Sequence, residues 1–292
     1  MKRVLVTGAS GMLGSELMLR APSGTTAIGT DLRADAPVDV PGIDLADESG
    51  VAALFASRGP FTGVIHGAAF TAVDLAEEKE SEARRANEDA ARVIATHCAR
   101  LSIPLVVVST DFVFDGAGTR PYREDDATRP LSAYGRTKLA GEKAAVAAHP
   151  NGTRIVRTQW LYGPRGKHFP GTILKLASER SELKVVHDQV GAPTSTLELA
   201  PALWDVLARG EAGIYHAACA GQASWYEFAR ATLELSGVKG VTVLPCSTAE
   251  FPRPAVRPRY SVLDCSRLAA LRGRTLAPWR AALAQFIESQ NS

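Results

Sequence analysis

The stretch Arg3-Val4-Leu5-Val6-Thr7-Gly8-Ala9-Ser10-Gly11-Met12-Leu13-Gly14-Ser15-Glu16-Leu17 decides the fold. An apolar β-run meets a glycine turn, and a helical pattern begins at once. Gly8 permits the tight turn, Gly11 lets the backbone approach a pyrophosphate, and Gly14 lets the helix pack closely on the strand. The helix start adds free N–H groups and the positive end of a dipole. This pattern, one strand from the chain start, points to a dinucleotide site involving Gly8, Ser10, Gly11, Met12 and Leu13.

Outward from that loop, short β-branched runs alternate with helical patterns. Strands are expected at Arg3–Thr7, Thr26–Asp31, Gly63–Gly67, Leu105–Ser109 and Arg154–Thr158. Val4-Leu5-Val6 and Leu105-Val106-Val107-Val108 are apolar throughout, as strands buried on both faces are in parallel sheets. Between them, Val51, Leu54 and Phe55 keep a helical period. Ala86, Ala90, Val93, Ile94, His97 and Leu101 predict one regular helix of more than four turns. The fold class expected is α/β, a doubly wound parallel sheet of Rossmann type.

After Gly163 the alternation loosens. Strand-like stretches at Leu183–His187, Gly213–Ala217 and Val241–Leu244 mix with helices around Ile173–Ala177, Leu197–Leu207, Trp225–Leu235 and Trp279–Ile287. Residues 1–163 are expected to form the dinucleotide-binding domain, with 195–220 returning to it. Residues 164–194 and 221–292 would form a smaller α/β substrate-binding region. Prolines and arginines crowd Phe251–Tyr260, which reads as an ordered loop or flap and not as a linker.

Asp31 closes the second strand about 17 residues past Gly14, where a carboxylate can accept hydrogen bonds from ribose hydroxyls. It would repel a 2′-phosphate, whereas Arg33, beyond Leu32, would attract one. Both NADPH and NADH therefore stay open. Ser109-Thr110-Asp111 ends the Val-rich strand, at the sheet edge where ligands of open α/β sheets bind. Tyr134 and Lys138 are four residues apart and share one helix face. A phenol near an ammonium, with a cationic nicotinamide in the oxidised state, is expected to have its pKa lowered and to serve as proton donor to a carbonyl, with Thr110 holding the same oxygen.

The ordered set of TGxxGxxG, Ser109-Thr110 and Tyr134xxxLys138 resembles the extended short-chain dehydrogenase/reductase family. Ala68-Ala69-Phe70-Thr71-Ala72-Val73-Asp74, Ser109-Thr110-Asp111-Phe112-Val113-Phe114-Asp115-Gly116, Asp188-Gln189-Val190-Gly191-Ala192-Pro193-Thr194 and Arg257-Pro258-Arg259-Tyr260 narrow it to the dTDP-4-dehydrorhamnose reductase family. The resemblance covers essentially the whole chain. It implies Thr110, Tyr134 and Lys138 as the catalytic set, Asp44 and Leu45 beside the adenine, and Ala68 and Ala69 along the cofactor's middle. It also implies Asn87 as an aid in placing Lys138, Thr71, Val73, Phe112 and Trp160 as sugar contacts, and Arg257 as a diphosphate contact. Phe112, Leu75 and Tyr260 stand where the family usually has Tyr, Lys and Asn, which bears on the sugar.

The function expected is reduction by NADPH or NADH of the C4 carbonyl of a nucleotide-linked 4-keto-6-deoxy sugar. The first candidate is dTDP-4-dehydrorhamnose, giving dTDP-rhamnose. A nucleotide-sugar epimerase and a non-catalytic dinucleotide-binding subunit, resembling that of methionine adenosyltransferase, are the alternatives. A sugar dehydratase would carry Glu after Asp111, and here Phe112 follows.

Composition narrows the rest. A hydrophobic share of 46% and a charged share of 22% are those of a folded globular chain. A net charge of +2 gives no electrostatic ground for nucleic acid or an anionic membrane as partner. Cys98, Cys219, Cys246 and Cys265 form no CxxC pair and the six histidines form no HExxH motif, so no metal site is expected. There is no GxSxG for a hydrolase. Only three apolar residues follow Lys2 and Arg3 before Thr7, too few for a signal-peptide core, and a cytoplasmic location is expected. The resemblance also allows a homodimer.

Overall fold

The computed structural model describes residues 2–290. Met1, Asn291 and Ser292, at the outer ends of the two expected units, lie outside the described residues. The first part runs β1 (Lys2–Thr7), α1 (Met12–Leu19), β2 (Thr25–Asp31), β3 (Val40–Pro41), α2 (Glu48–Arg58), β4 (Gly63–His66), α3 (Leu75–Glu78), α4 (Glu80–Arg84), α5 (Ala90–Leu101), β5 (Leu105–Thr110), α6 (Ala133–Ala148) and β6 (Thr153–Thr158). The second runs β7 (Leu161–Tyr162), α7 (Phe169–Glu179), β8 (Glu182–Val186), β9 (Val190–Gly191), β10 (Thr194–Ser195), α8 (Thr196–Arg209), β11 (Gly213–His216), β12 (Ala223–Ser224), α9 (Trp225–Leu235), β13 (Thr242–Cys246), α10 (Ser266–Arg272) and α11 (Trp279–Gln290).

Seven parallel strands form the central sheet in the order β3-β2-β1-β4-β5-β6-β11. This is a doubly wound α/β sheet, and its unbroken apolar strands follow from it. Val4, Val6, Ile65, Val106 and Val156 point to one face, against Leu13 and Leu17 of α1 and Leu199, Leu203 and Trp204 of α8. Their alternate neighbours Leu5, Val64, Leu105, Val107 and Ile155 point to the other, against α2, α5 and α6. Each such side chain taken out of water contributes about 1.5–3 kcal/mol. The order reverses between β1 and β4, and the strand ends there open a crevice.

The expected regular period from Ala86 to Leu101 is not what forms. A π-helical turn occupies Arg85–Asp89 between α4 and α5, so Ala86 lies in a wider turn than a 3.6-residue period gives. Leu101 is exposed, because Ser102 at φ 53 ends the helix there.

Beyond β6 the chain builds a second, smaller layer. β8 and β13 pair in parallel, and Ile173, Leu183, Val185, Ala229 and Leu233 pack around them. A further apolar cluster joins Tyr162, Phe228, Leu283 and Phe286. Between these parts, α8 and β11 lie on the central sheet, α8 against one face and β11 at its edge.

Candidate active site

The glycine loop is built by exclusion. Gly8 has φ +72, and a Cβ there would lie 2.7 Å from the Ala68 nitrogen. A Cβ on Gly14 would lie 2.0 Å from the Gly8 carbonyl oxygen. Neither position tolerates a side chain, because the turn closes on backbone at both. α1 starts after Gly11 with no side-chain cap, which leaves its first-turn N–H groups for an anion. The loop is braced from β2: the Ser10 amide and hydroxyl donate to Asp31 Oδ2 at 3.1 and 2.8 Å. Across the sheet, Thr7 Oγ1 lies 2.8 Å from His66 Nδ1 and accepts from the Ala68 amide at 3.2 Å. Burial and the nearby Lys138 charge push the His66 pKa down to about 3, so this imidazole is neutral.

A cleft of about 510 Å³ runs from this loop across the strand ends. Ser132 caps α6 through the Gly135 amide at 3.2 Å, and Glu77 accepts from the Ala133 amide at 2.8 Å. These bonds start the helix at Ala133 and fix Tyr134 at its first turn. One turn on, Lys138 is buried, and its Nζ donates to the Val108 carbonyl at 2.7 Å. Burial pulls its pKa down to about 8, with Glu142 opposing. Thr110 Oγ1 donates to Asp111 Oδ1 at 3.0 Å and accepts from the Phe112 amide at 3.2 Å. The Phe112 ring stands edge-on to Tyr134 with centroids 5.5 Å apart.

The Tyr134 phenol differs from expectation. Burial pushes its pKa up to about 12, the Thr110 hydroxyl opposes, and the Asp111 charge adds to the rise. Desolvation is the largest of these effects, so the pKa rises.

The family whose description is RmlD substrate binding domain matches residues 1–292. A Streptomyces griseus dTDP-4-dehydrorhamnose reductase is 41% identical over 97% of this chain and 92% of its own length. The chain belongs to the dTDP-4-dehydrorhamnose reductase family. A dTDP-4-keto-6-deoxy-D-glucose reductase of Streptomyces niveus is 39% identical, over 99% of this chain and 98% of that one. The crystal structure of a Bacillus anthracis dTDP-4-dehydrorhamnose reductase in complex with NADP superposes with a TM-score of 0.92 at 34% identity, covering 99% of this chain and 100% of that one.

Most residues expected at the site, from the motifs or from the family resemblance, line this one cleft. Gly8, Gly11, Met12, Leu13, Asp31, Leu32, Arg33, Asp44, Leu45, Ala68 and Ala69 line one end, and Thr71, Val73, Ser109, Thr110, Phe112, Tyr134, Lys138 and Trp160 the other. Asp44 is ion-paired with Arg85 at 2.6 Å, which holds its carboxyl below the usual range. Three residues lie elsewhere. Ser10 turns to Asp31 and not to the cleft. Asn87 is buried behind it, its Nδ2 donating to Thr137 Oγ1 of α6 at 3.0 Å and its Oδ1 accepting from the Phe70 amide at 2.9 Å. Arg257 lines a smaller adjoining cavity of about 90 Å³, with its guanidinium bonded to Asp74.

Sequence reasoning missed Asp111 and Gln159 as lining residues. Asp111 is buried, its Oδ2 has no hydrogen-bond partner among the described residues, and burial raises its pKa to about 6, with Ser261 and Thr110 opposing. Its place after Thr110 at a strand end was the available signal. Gln159 Oε1 accepts from the Ala192 amide at 2.9 Å. Trp160 beside it sits at φ 49, stacked on Trp225 at 3.6 Å, and nothing local in the sequence announces that pair. No helix among the described residues is long and apolar enough to cross a membrane.

Proposed function

We propose that this chain reduces the C4 carbonyl of a dTDP-linked 4-keto-6-deoxy sugar with NADPH or NADH, dTDP-4-dehydrorhamnose being the first candidate. One observation carries the reading: a single cleft joins the glycine loop to Thr110, Tyr134 and Lys138. The family relatives that are named as reductases of dTDP-linked sugars support it. When bound, the reduced nicotinamide supplies the hydride. Backbone N–H groups at the start of α1 hold the pyrophosphate, where Cβ atoms would collide. Asp31 accepts from ribose hydroxyls, Leu32 and Arg33 flank it, and Asp44 and Leu45 lie along the adenine.

Tyr134 gives the proton. A phenol is neutral at pH 7 and so can donate to a developing alkoxide, and burial of Tyr134 favours the neutral form further. The Thr110 hydroxyl holds the same oxygen. Lys138, anchored on Val108, would supply positive charge to the developing anion and help hold the cofactor ribose. Thr71, Val73, Phe112 and Trp160 form the sugar walls. Phe112 packs edge-on to Tyr134 where an eliminating enzyme would need a carboxylic acid. The substrate thus arrives already dehydrated. The division at residue 163, with 195–220 returning to the first unit, belongs to the same proposal, as do a cytoplasmic location and a homodimer.

The deciding experiment offers dTDP- and UDP-linked 4-keto sugars with NADPH or NADH and follows the nicotinamide absorbance. Oxidation with dTDP-4-keto-6-deoxy sugars is expected. Interconversion of sugars with no net cofactor oxidation would make the chain an epimerase.

A further inference from the structure

Asp74 and Arg257 are separated by 183 positions in sequence, yet they meet fork to fork. The two guanidinium nitrogens donate to Asp74 Oδ1 and Oδ2 at 2.9 Å each, and the Ala255 amide adds a third bond to Oδ1 at 3.2 Å. Arg257 also donates to the Ala255 carbonyl at 2.8 Å, closing its own loop. Bidentate pairing of this kind fixes orientation as well as distance. The guanidinium holds the Asp74 carboxyl below its usual range, so the pair stays charged at neutral pH.

The pair stands between the two walls of the cleft's sugar end. Asp74 follows Thr71 and Val73, which line the main cleft. Arg257 and Pro258 line the small cavity, which shares Asp111, Phe112 and Trp160 with that cleft. The far end of the loop is tied by backbone: the Val190 amide donates to Arg259 at 2.7 Å, and the Tyr260 amide donates to Gly116 at 3.2 Å. Between Pro252 and Pro258, among the described residues, the hydrogen bonds to the rest of the molecule go to Asp74 alone. Three prolines stiffen this stretch, so one anchor fixes its neighbours.

We propose that Asp74 and Arg257 act as a positioning latch that sets the spacing of the two sugar-end walls, and that Arg257 works through Asp74 and not as a ligand of the diphosphate. This deepens the reading of the cleft as a nucleotide-sugar site and rests on it. Both sides of the fork are already bonded to a carboxylate, which an incoming diphosphate would have to displace.

A double-mutant cycle tests it. Asp74→Ala and Arg257→Ala are each expected to raise KM for the dTDP-4-keto sugar about tenfold, with a smaller fall in kcat, and the double variant is expected to be no worse than either single one. The dissociation constant for NADPH is expected to stay unchanged, which general loss of structure would not allow. Asp74→Asn keeps an acceptor for Ala255 and is expected to be milder. A KM that rises in Arg257→Ala but stays or falls in Asp74→Ala would overturn the latch and make Arg257 an anion ligand, as would multiplicative effects. Hydrogen exchange at the Ala255 amide is expected to quicken in Asp74→Ala, and unchanged exchange would also overturn the latch. That readout needs no turnover. If the wild-type chain reduces no nucleotide sugar, the functional reading falls while exchange at Ala255 still decides the latch.

Discussion

A phenol donates a proton only from its neutral form, and burial raises the Tyr134 pKa from 10 to about 12. Tyr134→Phe preserves the ring packing against Phe112 and removes the proton. We expect kcat to fall about 10²- to 10⁴-fold with NADPH affinity unchanged, measured by steady-state kinetics and cofactor titration. Asp111 gives a prediction about stability. Its folded pKa of about 6 lies above the ordinary 3.8, so the folded state holds an extra proton between those values. The stability this carboxyl contributes is fully present below pH ~4 and is lost as pH rises through ~6. Asp111→Asn is therefore expected to gain on the wild type between pH 4 and 7, by up to about 3 kcal/mol, in urea unfolding at each pH. Parallel curves across that window would refute it. The sequence made Tyr134, Lys138 and Thr110 legible because four-residue spacing and a strand end are local facts. Burial is not local, so neither the unpartnered Asp111 oxygen nor the raised phenol pKa could be read there.

The same contrast governs the elements. β1, β2, β4, β5 and β6 announce themselves because strands covered on both faces must be apolar throughout, and the glycine loop identifies the turn between the first strand and its helix. The two-residue pairs β7–β10 and β9–β12 carry no pattern, since two residues have no period. The π-helical turn at Arg85–Asp89 packs against α6. A Cβ on Gly141 would lie 2.1 Å from the Asn87 carbonyl oxygen, and that turn bends its backbone against the glycine. This makes Gly141→Ala a test at the element scale. Helix propensity alone favours Ala by about 1 kcal/mol, but the clash is with backbone, and overpacking costs about 1–3 kcal/mol or more. We expect a net loss of roughly 1–2 kcal/mol in chemical denaturation. A gain would mean that the α6 contact yields freely.

At the scale of the whole molecule, the cleft is made from the carboxyl ends of β1, β4 and β5 and from Trp160 beyond the sheet, so its occupant binds only the folded chain. NADPH at a hundred times its dissociation constant is expected to add about 2.7 kcal/mol, a rise in Tm of roughly 5 °C by calorimetry. Gly14→Ala, whose Cβ would lie 2.0 Å from the Gly8 carbonyl oxygen, is expected to abolish that rise. The strand order carries one more consequence, for the chain as it leaves the ribosome. Six of the seven strands are complete once Thr158 has emerged, but β6 must wait for β11, which ends at His216. At ~5–20 residues per second, the intervening ~58 residues leave the β6 edge unpaired for roughly 3–12 s. An open edge invites pairing with a neighbouring nascent chain, and charge is a common guard against it. Arg154 and Arg157 lie in that strand, and they end up bonded to Gly210 and Glu142. Glu142 of α6 emerges before Arg157 and matches its charge, so Arg154 is the charge this edge carries through the interval of translation in which a bare edge is most exposed to other chains on the same message.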